Sequence, residues 1–107
     1  MSNRSLKQEN KSIIRGILRE ELDRSQRMEA LYLKELESMP KGSLQVKIIR
    51  GREYLYRCFR EGKKVKSVFV PRDEVEKIGA GLRRRREIES SLKRLRADRE
   101  LARKALR

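Results

Sequence analysis

The candidate nucleophiles of this sequence are three tyrosines, Tyr32, Tyr54 and Tyr56, whereas its single cysteine, Cys58, is expected to be a small buried hydrophobic residue on a strand. The sequence contains no histidine, which removes the commonest general base and the commonest metal ligand. Most carboxylates alternate with Lys and Arg in segments typical of solvated helix faces, so no cluster of activating groups is evident. There is also no glycine-rich phosphate loop. The sequence therefore predicts a protein that is not an enzyme and that uses neither metal nor cofactor.

The composition favours a different chemistry, contact with phosphate groups. The chain of 107 residues has 30 Lys and Arg against 16 Asp and Glu, a formal net charge of +14. Residues 41–72 contain 10 of the basic residues and 2 of the acidic ones, so this segment alone has a net charge of +8. Lys and Arg side chains that contact a nucleic-acid backbone release counterions, and each contact adds salt-dependent affinity. The middle of the chain is therefore predicted to bind polyanions.

Three groups of basic residues are candidates for this contact. Side chains on predicted strands could reach base edges in a major groove, and they are Lys47, Arg57, Lys64 and Lys66. Side chains at the turns and strand ends are expected to hold phosphates, and they are Arg50, Arg52, Lys63 and Arg72. The third group is the run Arg83, Arg84, Arg85 and Arg86. On a helix this run points in all directions, so it is either a solvated surface or a set of phosphate contacts beside the sheet.

Three elements are predicted to position these residues. Apolar residues recur at helical spacing from Leu6 to Leu36 and predict a helix over 5–38, which Pro40 and Gly42 end. Residues 43–70 have the alternation and the glycine turns of three short strands. A second helix is predicted over 73–107, with a kink or short break near Ala80. Its apolar seam consists of Ile88, Leu92, Leu95, Ala102 and Leu106.

The register of the first hairpin decides which side chains share a face of the sheet. A three-residue first turn would place Tyr54, Tyr56 and Cys58 beside Leu44, Val46 and Ile48. The second turn would then add Val65, Ser67 and Phe69 to this packed face. We prefer this register because a slip of one residue would bury Arg57 and expose two tyrosines. It leaves a basic opposite face that carries Gln45, Lys47, Leu55, Arg57, Phe59, Lys64, Lys66 and Val68.

The predicted fold is a single α+β domain over residues 1–107, in which the two long helices form an antiparallel, coiled-coil-like hairpin on a three-stranded antiparallel sheet. With only 36% apolar residues the core must be small, so we expect a homodimer through the seam of the second helix. The single cysteine allows no intrachain disulfide. No apolar run approaches the length of a membrane span, and the first residues lack a signal-peptide core. We therefore expect a cytoplasmic protein.

The segment GSLQVKIIRGREYLYRCFREGKKVKSVFV resembles the small three-stranded DNA-binding modules at the N-termini of tyrosine recombinases, of the arm-binding or AP2-like type, and of some transposases. The shared features are a Gly turn, a Tyr-x-Tyr strand, a Glu-Gly turn and a Lys-x-Lys-Ser strand, followed by a helix. The resemblance implies that the sheet lies in a DNA major groove, with Lys47, Arg57 and Lys66 at the bases. Here a long helix precedes the sheet and no recombinase domain follows, so the resemblance implies binding and not strand cleavage.

The sequence thus predicts a small nucleic-acid-binding protein, with an accessory or regulatory role in a bacterium, an archaeon or a mobile element. DNA is favoured over RNA, and a nucleoid association would follow. One alternative is a protein-interaction module that inhibits or recruits a nucleic-acid enzyme. The other is RNA binding, in which Tyr54, Tyr56 and Phe59 would stack on unpaired bases. That alternative needs exposed rings, whereas the preferred register buries the two tyrosines.

Overall fold

The computed structural model describes the backbone of residues 3–107 and the side chains from residue 9 onward. The side chain of Leu6, the first apolar residue of the predicted helix, lies outside this range. The chain forms a helix, a three-stranded antiparallel sheet and a second long helix, which confirms the predicted α+β architecture. Neither helix in the described range has an apolar stretch long enough to cross a membrane. The elements are α1 (Asn3–Glu37), β1 (Ser43–Ile49), β2 (Arg52–Glu61), β3 (Lys64–Phe69), a 3-10 turn (Arg72–Glu74) and α2 (Val75–Leu106).

The chain divides into two compact units. The helical unit contains α1 up to Glu35 together with residues 90–107 of α2 and the C-terminus, and the sheet unit is Leu36–Glu89. Both helices therefore contribute to both units, and each unit is described separately below.

The helical unit is an antiparallel helix pair. Arg15, near the start of α1, donates a hydrogen bond to the carbonyl oxygen of Leu106 at the end of α2, at 3.2 Å. Farther along, the carboxylate of Glu29 accepts hydrogen bonds from Arg96 at 3.2 Å and from Arg99 at 2.8 Å. The hydrogen bond from Arg96 is the main cause of a lowered pKa of Glu29, and the second arginine lowers it further. The carboxylate therefore stays ionised and links the two helices.

The predicted seam of α2 is buried within a single chain. Ile88 and Leu92 are buried, and Leu95, Ala102 and Leu106 are half-buried. The seam is therefore not free to form the dimer interface for which it was proposed. The predicted homodimer remains a prediction, and it would have to use another surface.

A groove of about 550 Å³ runs along the helical unit between α1 and α2, lined mainly by apolar side chains. Ser25 lines it, and its buried hydroxyl has no hydrogen-bond partner among the described residues. Apolar side chains elsewhere on these helices are exposed, and they include Ile13, Ile14, Ile17 and Leu101. Apolar surface thus remains on the helical unit after its two helices have paired.

The sheet unit has its strands in the order β1-β2-β3, and the first turn differs from the prediction. Ile49 pairs with Arg52, so the turn contains only Arg50 and Gly51. Both residues have positive φ, +52° and +80°, as type I′ hairpin turns require, and such turns match the twist of the paired strands. The prediction of a three-residue turn was wrong because it allowed only the glycine a positive φ. A two-residue turn moves every β1 side chain to the other face relative to β2.

The core of the sheet unit is small. Its buried apolar residues are Val70, just after β3, and Leu82 and Ile88 on α2. The break predicted near Ala80 does not occur, because α2 is continuous from Val75 to Leu106. Gly81 instead permits a close approach: a Cβ atom at this position would lie 2.7 Å from the Cδ and Cγ atoms of Pro40.

We expect the same substitution to have opposite effects at the two neighbouring glycines of α2. Gly79→Ala should raise the free energy of unfolding by about 0.5–1 kcal/mol, because the new methyl group would meet atoms only at 3.8 Å and 4.0 Å. Gly81→Ala should lower it by about 1–3 kcal/mol, because the ring of Pro40 cannot move aside as a flexible side chain can. Urea unfolding followed by circular dichroism measures both. Stabilisation by both substitutions would show that Pro40 does not pack on α2 in solution.

Candidate nucleic-acid interface

The two hairpin registers assign every strand residue to a face of the sheet, because directly paired residues in antiparallel strands share a face. Lys47 pairs with Tyr54, and Gln45 pairs with Tyr56, which in turn pairs with Phe69. We call this side of the sheet the aromatic face. Its members are Ser43, Gln45, Lys47, Ile49, Arg52, Tyr54, Tyr56, Cys58, Arg60, Val65, Ser67 and Phe69.

The opposite face begins with Leu44, paired with Arg57, which pairs in turn with Val68. The side chain of Leu44 lies on the side of α2, with its Cδ1 atom 4.0 Å from the position that a Cβ on Gly79 would take. The helix thus approaches the opposite face. Both faces keep exposed apolar side chains: Ile49, Val65 and Phe69 on the aromatic face, and Val46, Ile48 and Val68 on the opposite one.

Three rings form the centre of the aromatic face. Phe69 contacts Tyr54 and Tyr56 in edge-to-face arrangements, with ring centroids 6.2 Å and 5.8 Å apart. Phe69 is 49% exposed, and both tyrosines are half-buried. Edge-to-face geometry is the favourable arrangement for such pairs, since the positive edge of one ring meets the negative face of the other. The cluster is therefore held together by its own contacts and still reaches solvent.

A cation lies within this aromatic cluster. The Nζ atom of Lys47 is 4.6 Å from the ring centroid of Tyr56, within cation–π distance, and it donates a hydrogen bond to the hydroxyl of Ser67 at 3.0 Å. Arg52 and Arg60, at opposite ends of β2, belong to the same face and are exposed. The face carries no Asp or Glu, because Glu53 and Glu61 belong to the opposite face. Its charge in the described structure is therefore wholly positive.

The predicted basic face is divided between the two sides of the sheet. Lys47 belongs to the aromatic face, whereas Arg57, Lys64 and Lys66 belong to the opposite one. The grouping of Lys47 with these three residues was wrong, and its cause is the two-residue first turn. Tyr54 and Tyr56 were predicted to pack beside Leu44, but the two-residue turn places them on the opposite side of the sheet from Leu44.

Two of the residues on the opposite face have partners of their own. Arg57 donates a hydrogen bond to the carbonyl oxygen of Lys41 at 2.9 Å and lies over the ring of Phe59, 4.3 Å from its centroid. Lys66 forms an ion pair with Glu61 at 2.8 Å. Only the ion pair offsets positive charge, but Glu53 also belongs to this face, so two acidic residues there make it the less basic of the two.

The residues predicted at the turns and strand ends lie where expected. Arg50 is in the first turn and Lys63 in the second, at opposite ends of the sheet, and both are exposed. Arg72 follows β3 in the 3-10 turn and is also exposed. All three can reach a polyanion that extends past the edges of the sheet.

The four arginines of α2 have different environments. Arg85 is largely buried and donates hydrogen bonds to the carbonyl oxygens of Leu36, Met39 and Pro40, at 2.8, 3.1 and 3.0 Å. These carbonyls lie at and just beyond the end of α1, where helical carbonyls lack intrahelical partners. Arg85 therefore joins the end of α1 to α2, and its predicted contact with phosphate, which would compete with these hydrogen bonds, remains a prediction.

The other arginines of this run face solvent. Arg84 forms an ion pair with Glu87 at 3.4 Å. Arg83 and Arg86 line an open groove of about 550 Å³, together with Leu82, Gly79 and the start of β1. Within the described residues neither of these two side chains has a carboxylate within 4.0 Å, so both can bind an anion.

Arg60 and Phe69 belong to the interface but were not among the predicted binding residues. Phe69 was assigned to a packed face, and Arg60 received no role. The sequence signal that could have identified them is the strand alternation, which places Arg60 on the face of Tyr56 and Cys58, with Phe69 paired to Tyr56. This signal identifies the face only if the first hairpin turn is known to contain two residues.

Among the tyrosines and the cysteine, Tyr56 and Cys58 have polar or charged neighbours, Lys47 for Tyr56 and two polar side chains for Cys58. The thiol of Cys58 lies 3.5 Å from the amide oxygen of Gln45 and 3.4 Å from the hydroxyl of Ser67. No group of three acidic or thiol side chains that could hold a metal occurs in the part of the chain that the structure describes. That the protein is not an enzyme remains a prediction.

Comparison with known proteins identifies one family. Residues 12–80, more than half of the chain, match the model of a family described as a domain of unknown function (DUF6788), and the chain belongs to this family. No curated protein and no solved structure matches the chain. The match covers most of α1, the whole sheet and the first turns of α2. The resemblance to the recombinase DNA-binding modules remains a prediction.

Proposed function

We propose that the protein binds nucleic acid through the aromatic face of its sheet. The observation that carries this proposal is the composition of the face: Lys47, Arg52 and Arg60 share it with three rings, of which Phe69 is exposed and the two tyrosines are half-buried, and no carboxylate belongs to it. Basic residues with interleaved aromatic side chains suit a polymer that offers both phosphates and flat bases. Acidic proteins would be a poorer match, because they offer no flat bases to the rings.

The basic residues around the sheet support the same proposal. Arg50 and Arg72 would extend a phosphate track at one end of the sheet, and Lys63 at the other. Such contacts position a nucleic acid without reading its sequence, and they make the affinity strongly dependent on salt. Arg83 and Arg86 share their groove with Leu44 of the opposite face, so they lie on the other side of the sheet and are not part of this track.

The duplex-DNA mode predicted from the sequence requires revision within this proposal. It placed Lys47, Arg57 and Lys66 together at base edges, and the register separates the first from the other two. A sheet that enters a major groove would therefore present Lys47, Arg52 and Arg60 together with the rings.

Charge neutralisation on the two faces tests the proposal. We expect Arg52→Gln combined with Arg60→Gln to weaken binding to a labelled oligonucleotide and to reduce the slope of log Kd against log salt by about 1.4–1.8, since each phosphate contact contributes about 0.7–0.9. The matched control is Lys64→Gln with Lys66→Gln, which removes the same charge from exposed residues of the opposite face. It should change the slope by less than half as much.

Two outcomes would contradict the proposal. Equal losses from both pairs of substitutions would show that net charge attracts the nucleic acid and that the aromatic face is not its site. Failure of the native protein to bind any oligonucleotide at about 50 mM salt would remove nucleic acid as the ligand, and the protein-interaction alternative would then be preferred.

A further inference from the structure

We infer that the aromatic face binds unpaired nucleotides, by stacking of bases on Tyr54, Tyr56 and Phe69. This inference rests on the proposed function and adds the class of nucleic acid to it. The ligand is a single-stranded segment, of RNA or of DNA. Both present the same chemistry at this surface, namely bases with free faces joined by phosphates.

The geometry of the three rings leaves room for such stacking. Phe69 meets the tyrosines at interplanar angles of 64° and 68°, so neither tyrosine lies face to face with Phe69. In an edge-to-face pair at most one face of one ring is covered by the other. Phe69 is half exposed, and the rings lie on the side of the sheet opposite to that approached by α2. Ring faces are thus available in an isolated chain.

The cation within the cluster suits the same ligand. Lys47 pairs directly with Tyr54 and reaches over Tyr56 to Ser67, so its ammonium group lies beside the rings and not at the rim of the sheet. A phosphate that joins two stacked bases would pass close to this position. Transfer of the ammonium from Tyr56 to that phosphate would exchange a cation–π contact for an ion pair and uncover the ring.

The arrangement discriminates against duplexes. In a duplex each base is stacked between its neighbours and paired at its edge, so its face reaches a protein ring only after unpairing and unstacking. Unpaired nucleotides do not incur this cost. The rings of the aromatic face therefore add affinity only for single strands, whereas its basic residues attract both forms.

Fluorescence anisotropy with labelled 12-nucleotide strands and with the corresponding duplexes tests the inference. We expect tighter binding of single strands than of duplex at equal salt. Replacing Tyr54 and Phe69 together by leucine should weaken single-strand binding by about tenfold or more, since each ring lost removes roughly fivefold to 150-fold of affinity in comparable stacking sites. Tyr54→Phe with Tyr56→Phe keeps the rings and should bind within about twofold of the native protein.

Phe59→Leu is the matched control, because it removes a ring from the opposite face, and it should leave single-strand binding within about twofold. Tyrosine fluorescence is a second measurement, and it leaves the three rings of the aromatic face in place. The chain has no tryptophan and three tyrosines, so a Tyr32→Phe protein reports only Tyr54 and Tyr56 in its emission. Addition of unlabelled single strands should quench this emission, and addition of duplex at the same saturation should not.

Equal affinity for duplex and single strand, with no loss in the leucine variant and no quenching, would overturn the inference and leave the proposed function intact. No binding of either form would overturn both. A preference between RNA and DNA of the same sequence distinguishes the two sources through the 2′-hydroxyl group.

Discussion

Leu92→Asp is expected to lower the free energy of unfolding by about 4 kcal/mol or more. Leu92 is 4% exposed, so the substitution both removes a buried apolar side chain and places a carboxylate where water is excluded. Charge burial without a partner is among the most destabilising single changes known. Urea unfolding followed by circular dichroism at 222 nm, a signal dominated by the two helices, measures the effect.

Leu101→Asp is the matched control, because it introduces the same charge on the same helix at a residue that is 65% exposed. It should change the free energy of unfolding by less than about 0.5 kcal/mol. If the two substitutions have equally small effects, the helical unit is not packed in solution as the structure describes it, and its helices would be solvated extensions.

Arg85→Met is expected to lower the free energy of unfolding by about 2–4 kcal/mol. The guanidinium, whose side chain is 21% exposed, donates hydrogen bonds to three carbonyl oxygens at and beyond the end of α1. Hydrogen bonds from a charged group contribute about 1.5–3 kcal/mol each, although exposed carbonyls recover part of this from water. The positive charge also favours a helix C-terminus. Thermal and urea unfolding measure the loss.

Arg86→Met provides the control, because it removes the adjacent, exposed arginine and should change the stability by less than about 0.5 kcal/mol. Arg85→Lys should restore only a small part of the stability, since a single ammonium lacks the planar fork that reaches several carbonyls. Equal effects of Arg85→Met and Arg86→Met would contradict the assigned role of Arg85.

The order and type of the elements could be predicted from local sequence signals. Helical periodicity gave both helices, and Pro40 and Pro71 lie just outside the ends that they were expected to set. The predicted α1 over 5–38 differs from Asn3–Glu37 by one or two residues at each end. These signals depend on residues close in sequence, so they need no knowledge of the tertiary structure.

The register of the first hairpin could not be predicted in the same way. It depends on Arg50, a residue without a glycine-like preference, adopting a positive φ of +52°. A type I′ turn matches the twist of the paired strands, and the free energy that this match contributes exceeds the conformational cost of a positive φ at Arg50. Since alternation has a period of two, this single angle inverted the assignment of Tyr54 and Tyr56 relative to Leu44.

The role of Arg85 was also beyond sequence reasoning. The run of four arginines is uniform in sequence, and only the approach of residues 36–40 to α2 distinguishes one member from its neighbours. Contacts that join residues 45 to 49 positions apart leave no periodic signal in a single sequence. The sequence therefore predicted a sheet rich in basic residues, whereas the division of those residues between its two faces required the structure.

The contact between Arg85 and Leu36 has a consequence for how the chain folds. Glu29 and Arg96 are 67 residues apart, a separation that makes their pairing entropically costly in an unfolded chain. Once the sheet unit has formed, largely from adjacent hairpins, the 2.8 Å hydrogen bond from Arg85 to Leu36 joins the ends of that long loop. The loop that remains to be closed then runs seven residues along α1, from Leu36 to Glu29, and eleven along α2, from Arg85 to Arg96. This loop of about 18 residues costs about 1 kcal/mol less entropy to close than the original one. We therefore expect the sheet unit to form first and the two helices to pair afterwards, from the sheet unit toward the chain ends.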